Sequence, residues 1–313
     1  MIRNLKKSII FVFILIMLLL VVFISLAAAK PVSINTATAT AIKYGAQPGL
    51  GIGIFSTSNP STFNSYVDTL LANGFNELRI DIPDYQNTVW IARSKAAVIS
   101  AVAKGVNVIW GVSSNKGSNP DYTITAANWP TYRQAILDAA QWAQDNGVYE
   151  FQLGNEEEHH IDGTTITATQ MITNLKSVAI DAQAVFTRGK ISYAINDSNI
   201  DDWISAGKGD LDLLGANVYM GGTTFNNGWK TLITNLVNAF GPEGTYLTEF
   251  NLSWASLDAY SIDEAVQAAA LAEMIEYIKA SGMTRATFFC YNDDKFGAIK
   301  EDGTYRKLWD KNF

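Results

Sequence analysis

The feature that most limits how this chain can fold is an alternation. Short apolar runs of strand character lie at Leu50–Ser56 (LGIGIFS), Glu77–Ile82 (ELRIDI), Val106–Val112 (VNVIWGV) and Tyr149–Gly154 (YEFQLG). Four more follow at Lys190–Ile195 (KISYAI), Leu213–Met220 (LLGANVYM), Thr245–Phe250 (TYLTEF) and Ala286–Asn292 (ATFFCYN). Between them are stretches with helical spacing, several closed by a glycine stop, such as FNSYVDTLLANG, TYRQAILDAAQWAQDNG and DEAVQAAALAEMIEYIKASG. Strands that alternate with helices build parallel sheets, and eight strand-like segments over about 260 residues match the size of a (β/α)8 barrel. The competing architecture, an open doubly wound sheet, would usually carry a glycine-rich phosphate turn after its first strand. LGIGIFSTSNP has Gly51 and Gly53 but neither a third glycine nor an immediate helix, so the barrel is expected.

Ahead of the alternating region the chain has a different character. Residues 1–29 open with Arg3, Lys6 and Lys7 and continue in an apolar run from Ile9 to Ala29, broken only by Ser25. Ala27 and Ala29 form the small-x-small pattern of a signal-peptidase site, and the run is also long enough to serve as an uncleaved membrane anchor. Either way the positive flank stays inside, so the remainder is expected to be extracellular: secreted, or tethered to the outer face of the cytoplasmic membrane. Residues 30–47, including PVSINTATATAIKYGAQ, read as a small, polar tether, and residues 48–313 as one domain. The full chain carries 23 basic and 30 acidic residues; without the three basic residues of the first 29 positions, 20 remain against 30. A net charge of −10 argues against a nucleic-acid partner, which needs a basic face. Cys290 is the only cysteine, which excludes an intrachain disulfide and a thiolate metal cluster.

In a barrel the chemistry belongs at the C-terminal ends of the strands. The polar residues there are Arg79 and Asp81, Trp110, Asn155 and Glu156, Asn196 and Asp197, Asn217 and Tyr219, Glu249, and Tyr291 and Asn292. Glu156 and Glu249 each follow an apolar run directly, where a carboxylate would be costly as mere core. They end strands four and seven, on opposite sides of an eight-stranded ring, and so can face each other across its mouth. Two facing carboxylates are the equipment for cleaving a glycosidic bond.

The segments carrying these residues resemble those of the large clan of retaining (β/α)8-barrel glycoside hydrolases, which includes cellulase-, mannanase- and galactanase-type enzymes. QLGNE (152–156) resembles the Asn-Glu end of their strand four, and YLTEF (246–250) their strand-seven nucleophile segment. NVYMG (217–221) resembles the strand-six segment whose Tyr touches the nucleophile, and LRID (78–81) resembles strand two with its Arg. The likeness spans the barrel in order and spacing. It implies Glu156 as general acid/base and Glu249 as nucleophile, with Tyr219 and Arg79 bonded to Glu249 and Asn155 bonded to a sugar hydroxyl. It also implies carboxyl groups roughly 5–5.5 Å apart. Asn217, Trp110, Trp254 and Tyr291 complete the expected substrate-binding set, the aromatic rings as stacking platforms for sugar faces. No cofactor or metal is implied, and the expected partner of a monomeric chain is an oligo- or polysaccharide. The pattern departs from the clan's common form in having Glu157 where many members have Pro, and Phe288, Phe289 and Tyr291 where strand eight usually supplies a Trp. A carbohydrate-binding or transglycosylating barrel is the alternative function.

Two expectations concern the run GNEEEHH itself. Strict alternation would put Asn155 and Glu156 on opposite faces, so both reach one site only if the strand ends or bulges between them. Glu157 and Glu158 are expected as solvated loop charges or helix-start acids, and His159 and His160 as rim or loop residues. Adjacent histidines rarely chelate one ion, so an oxygen-only site from Glu156 to Glu158 with Asp197 is the remaining metal alternative.

Overall fold

A computed structural model describes residues 43–47, 60–72, 74–82, 85–114, 123–221, 228–252 and 264–289. These residues fall within the compact unit Ala41–Phe313. Its strands are β1 (Lys43–Gln47), β2 (Glu77–Ile82), β3 (Asn107–Val112), β4 (Glu150–Asn155), β5 (Lys190–Asn196), β6 (Leu213–Met220), β7 (Thr245–Leu252) and β8 (Arg285–Phe289). Every neighbouring pair is parallel, and β1 pairs with both β2 and β8, which closes the barrel. Around it lie α1 (Pro60–Ala72), α2 (Thr88–Ala103), α3 (Trp129–Asp145), α4 (Ala168–Val185), α5 (Ile200–Ala206), α6 (Gly228–Phe240) and α7 (Glu264–Ala280). This is the expected (β/α)8 architecture. No helix among the described residues is long and apolar enough to cross a membrane; the candidate signal or anchor segment lies outside them.

Local chemistry sets the helix ends. Thr167 and Gln170 bond each other's backbone N–H groups in a capping box at the start of α4. Asn87 accepts from the Trp90 N–H at 3.1 Å to begin α2. Gly147, at φ 84°, turns the chain out of α3 in a conformation costly for any residue with a Cβ.

Strand alternation divides the interior in two. Outward-facing residues such as Leu78, Val108, Trp110, Phe151, Ile195, Val218, Leu247 and Phe250 join the helices in the main core. Ile109, Leu213 and Tyr246 form a separate cluster inside the barrel. Towards the N-terminal end of the strands the interior turns polar. Arg285 donates to Glu150 at 2.6 Å, pairs with Glu77 at 3.0 Å and lies over the Tyr246 ring, whose hydroxyl also donates to Glu150. This buried group plugs the end opposite the candidate site.

The first strand corrects the expected boundary. β1 lies inside the stretch read as a tether, so the barrel begins at Lys43 rather than at 48, and Leu50–Ser56 lies outside the described residues. KYGAQ has little strand character of its own, being poor in β-branched residues. Its conformation comes from pairing on both sides, and Gly45 suits the place, since a Cβ there would lie 3.3 Å from both Glu77 and Thr287.

Candidate active site

Arg79 organises the site. It faces the barrel interior from β2 and is fully buried, so each polar hydrogen needs a partner. Its Nε donates to Gln152 Oε1 at 2.8 Å, Nη1 to Glu249 Oε1 at 2.6 Å and Nη2 to Asn155 Oδ1 at 2.7 Å. One guanidinium thereby fixes β4 and β7 relative to β2. The second oxygen of Glu249 accepts from the Tyr219 hydroxyl. Burial, together with the negative charge of Glu249, holds the Tyr219 phenol well above its usual range, so Tyr219 stays a donor. A cation on one oxygen and an O–H donor on the other both favour Glu249 as a carboxylate.

Glu249 reaches the interior through a register change. Asn217 on β6 pairs with Glu249 while Ala216 pairs with Leu247, so Thr248 is an extra residue in β7. Thr248 and Glu249 consequently both serve the site. Gly215 leaves room for this: a Cβ there would lie 2.2 Å from Thr248 Cγ2. Thr248 donates to Asn217 Oδ1 at 2.7 Å, which aims the Asn217 amide nitrogen at Glu156 Oε1, 2.7 Å away, and at Asn155 Oδ1, 3.1 Å away. Asn155 Oδ1 is thus occupied by two donors, and its amide NH2 takes part in neither contact.

Of the two devices foreseen between Asn155 and Glu156, the strand end is present, and a register shift lies just upstream of it. The register between β4 and β5 shifts between Gln152 and Asn155, and the strand ends at Asn155. Glu156 then adopts φ 58°, ψ 35°, the one positive-φ residue other than glycine among the described residues. Left-handed backbone costs a residue with a Cβ roughly 1–2 kcal/mol, and such strain concentrates at functional sites.

The next residues meet one half of the expectation, as helix-start acids of a short 3-10 turn, and depart from the other, exposure to solvent. Glu157 is fully buried and Glu158 is 6 % exposed, so neither is a solvated loop charge. The chain folds into a tight turn, Glu157–His159, that tucks both carboxylates behind the ends of β3 and β5. Glu157 accepts from the Ser114 and Asn155 N–H groups at 3.2 and 3.1 Å and pairs with His160 Nδ1 at 3.2 Å. Burial pulls the His160 pKa down, but the hydrogen bond to Glu157 and the charges of Glu157, Glu156 and Glu158 outweigh it and leave it raised. Glu158 sits between the Tyr193 hydroxyl and the Trp203 indole N–H. Burial, partly offset by these two donors, pushes its pKa up to about 7. His159 is exposed and meets Ser198 at 3.0 Å, at the rim where it was expected. Asp197, following β5 and exposed, is also raised, by partial desolvation of its carboxyl and then by the charge of Glu156. Among the described residues no group of three or more His, Cys, Asp or Glu side chains could hold a metal ion.

The structure therefore brings Arg79, Asn155, Glu156, Asn217, Tyr219 and Glu249 into one connected group. Trp110 is a correction: its side chain points outward, its indole donates to Ser94 of α2 at 2.8 Å, and it packs on Trp142 and Phe151. The inward positions of β3 are those of Ile109 and Gly111, so alternation puts Trp110 out of reach of a ligand at the mouth. Trp254 and Tyr291 lie outside the described residues. Gln152 and Thr248 were missed. The signal for Gln152 was its inward parity in an otherwise apolar strand; Thr248 depends on a bulge that no residue type announces.

Comparison with solved structures bears on what such a barrel is. An exo-β-1,4-mannosidase from Opitutaceae bacterium strain TAV5 matches with TM-score 0.66 at 14 % identity, over 86 % of this chain and 58 % of that one. A glycoside hydrolase family 5 enzyme from Prevotella bryantii B14 matches with TM-score 0.62 at 15 % identity, over 82 % and 91 %. A family 5 xyloglucanase from Paenibacillus pabuli matches with TM-score 0.62 at 15 % identity, over 87 % and 97 %. The chain shares its (β/α)8 fold with these glycoside hydrolases. At these identities the likeness is one of fold, and this chain spans little more than half the length of the mannosidase. No family model and no curated protein matches the chain. Within this barrel, the connected group from Arg79 to Glu249 stands at the strand ends where a barrel active site belongs.

Proposed function

We propose that the chain is an exported glycoside hydrolase that cleaves a β-linked glycan with retention of configuration. The observation that carries this reading is the unequal setting of two carboxylates in one hydrogen-bonded group. Glu249 is held by Arg79 and Tyr219 as a carboxylate, whereas Glu156 meets a neutral amide, that of Asn217. A carboxylate fixed by a cation and a hydroxyl is suited to attack, and a carboxyl group beside a neutral amide to pass a proton. The resemblance of the strand-end segments and the shared fold support the same assignment.

In the first step a Glu249 oxygen attacks the anomeric carbon as its bond to the leaving oxygen breaks, and the Glu156 proton passes to that oxygen. In the second, water attacks the same carbon, gives a proton to Glu156 and releases Glu249 as a carboxylate. Asn217 donates to Glu156 Oε1, so the proton belongs on Oε2. The Asn155 NH2 donates to a sugar hydroxyl beside the reacting carbon, a contact that strengthens as charge develops there.

The test is a panel of β-glucans, mannans, galactans and aryl β-glycosides, with product sizing and proton NMR of the first-formed anomer. Cleavage with retained configuration that is lost in Glu249→Gln and indifferent to chelator is expected. Inverted product, or turnover intact in Glu249→Gln, would overturn the assignment. Sugar binding without cleavage would make the chain a carbohydrate-binding barrel, and products larger than the substrate a transglycosylase.

A further inference from the structure

Glu156 carries its chemistry on the least comfortable backbone of the described chain. Something must hold the left-handed bend, and the surrounding hydrogen bonds identify what does. The three successive N–H groups across the bend are all tied down. That of Asn155 donates to Glu157 Oε1 at 3.1 Å, that of Glu156 to the Ala194 carbonyl at 2.9 Å, and that of Glu157 to the Tyr193 hydroxyl at 2.8 Å. The Glu157 side chain therefore reaches back across Glu156 and closes a ring around it.

The same carboxylate is anchored independently of the bend. It accepts from the Ser114 N–H just after β3, at 3.2 and 3.3 Å to its two oxygens, and pairs with His160. Space is kept for it as well: a Cβ on Gly154 would lie 2.7 Å from Glu157 Cγ and 3.0 Å from its Oε1. Tyr193 is fixed in turn. Its hydroxyl accepts from the Glu157 N–H and donates to Glu158 Oε2 at 2.5 Å, while the Trp203 indole holds the other Glu158 oxygen.

Two adjacent buried carboxylates are an expensive way to make a turn, because each ion taken out of water costs several kcal/mol before its partners repay it. A short turn at a strand end has cheaper solutions. What this arrangement supplies is angular control over one residue: Tyr193 holds the peptide unit that follows Glu156, the Ala194 carbonyl the unit that precedes it, and the Glu157 carboxylate the next unit back, at the Asn155 N–H. We propose that Glu157 and Tyr193 are positioning residues for the acid/base: they hold the left-handed conformation of Glu156 and so aim its proton at the leaving oxygen. The proposal rests on the assignment of Glu156 made above.

The experiment separates aim from stability. Departure of a dinitrophenolate needs little protonation, whereas departure of a phenolate needs much. With dinitrophenyl and phenyl β-glycosides of the sugar found in the glycan panel, Glu157→Gln should lower kcat/KM far more for the phenyl substrate, reducing the phenyl-to-dinitrophenyl ratio about tenfold or more. Tyr193→Phe, which keeps the ring and removes one hydroxyl, should reduce the ratio in the same direction and serves where Glu157→Gln does not fold. A merely structural role would remove active enzyme and lower both substrates equally; an unaltered ratio in the folded variants overturns the proposal. Glu156→Ala is the control. If it reduces the ratio and the other two do not, positioning by Glu157 and Tyr193 is wrong while the acid/base assignment stands. If Glu156→Ala leaves the ratio unaltered, the acid/base assignment itself falls, and this proposal with it.

Discussion

Replacing Glu158 with glutamine should make the protein's stability less sensitive to pH. Glu158 is almost wholly buried, and its two oxygens meet the Tyr193 hydroxyl and the Trp203 indole, donors without charge. Burial raises its pKa from 4.5 to about 7. Between those values the folded chain keeps a proton that the unfolded chain has released. The sign follows: a raised folded pKa gives stability that is full below the unfolded value and falls as pH rises to the folded one. At about 1.4 kcal/mol per pH unit, the wild type loses on the order of 3 kcal/mol across that interval and no more above it. Glutamine imitates the protonated acid and cannot ionise, so Glu158→Gln should escape this loss. The assay is urea unfolding of both proteins at a series of pH values from about 4 to about 9, taking the stability of the variant minus that of the wild type. His160, whose pKa is also raised, contributes stability that is present at low pH and lost as pH rises through its folded value. It is present in both proteins and cancels in the difference, apart from the last and smallest contribution to its shift, that of the Glu158 charge. The difference should rise by roughly 3 kcal/mol between about pH 4.5 and about pH 7 and then level off. A difference that does not vary with pH would refute the reasoning.

Other outcomes follow from the same geometry. Arg79→Met, which strands Glu249 in a buried site, should lower kcat/KM by at least about 100-fold in steady-state assays and lower the melting temperature as well. Gly215→Ala should cost about 1–3 kcal/mol in denaturant unfolding by forcing Thr248 aside. Adding Thr248→Ala should relieve the clash but not recover activity, because the bond that orients Asn217 is gone. Trp110→Phe should cost about 1 kcal/mol of stability through its lost bond to Ser94 while leaving kcat and KM near wild type, as befits a residue packed among helices.

The parts of the fold that were legible in sequence are those with a periodic signal. Strands β2 to β8 coincide with apolar runs, because an inner strand of a parallel barrel is covered on both faces and reads as continuous hydrophobicity. β1 was misplaced because KYGAQ owes its conformation to neighbours on either side and carries no apolar run of its own. The members of the connected group, Arg79, Asn155, Glu156, Asn217, Tyr219 and Glu249, were readable, since a polar residue within or ending an apolar run has few bland explanations. Trp110 failed on parity alone: counting from Ile109 would have sent it outward. The burial of Glu157 and Glu158, though not their place at a helix start, escaped for a different reason. A run of acids usually faces water, and nothing local announced that Tyr193, Trp203 and Ser114 would converge on them from other segments of the chain.

The central claim is that Glu249 attacks the sugar. A substrate analogue with fluorine on the carbon next to the anomeric centre and a dinitrophenolate leaving group forms the covalent intermediate but hydrolyses it slowly, because the fluorine disfavours positive charge in both steps. Mass spectrometry of the intact protein and of its peptides should show one fluorosugar added, carried by the peptide containing Glu249, and none in Glu249→Gln. A label on Glu156 or on any other carboxylate, or turnover of the analogue's parent glycoside with inverted configuration and no label, would contradict the account.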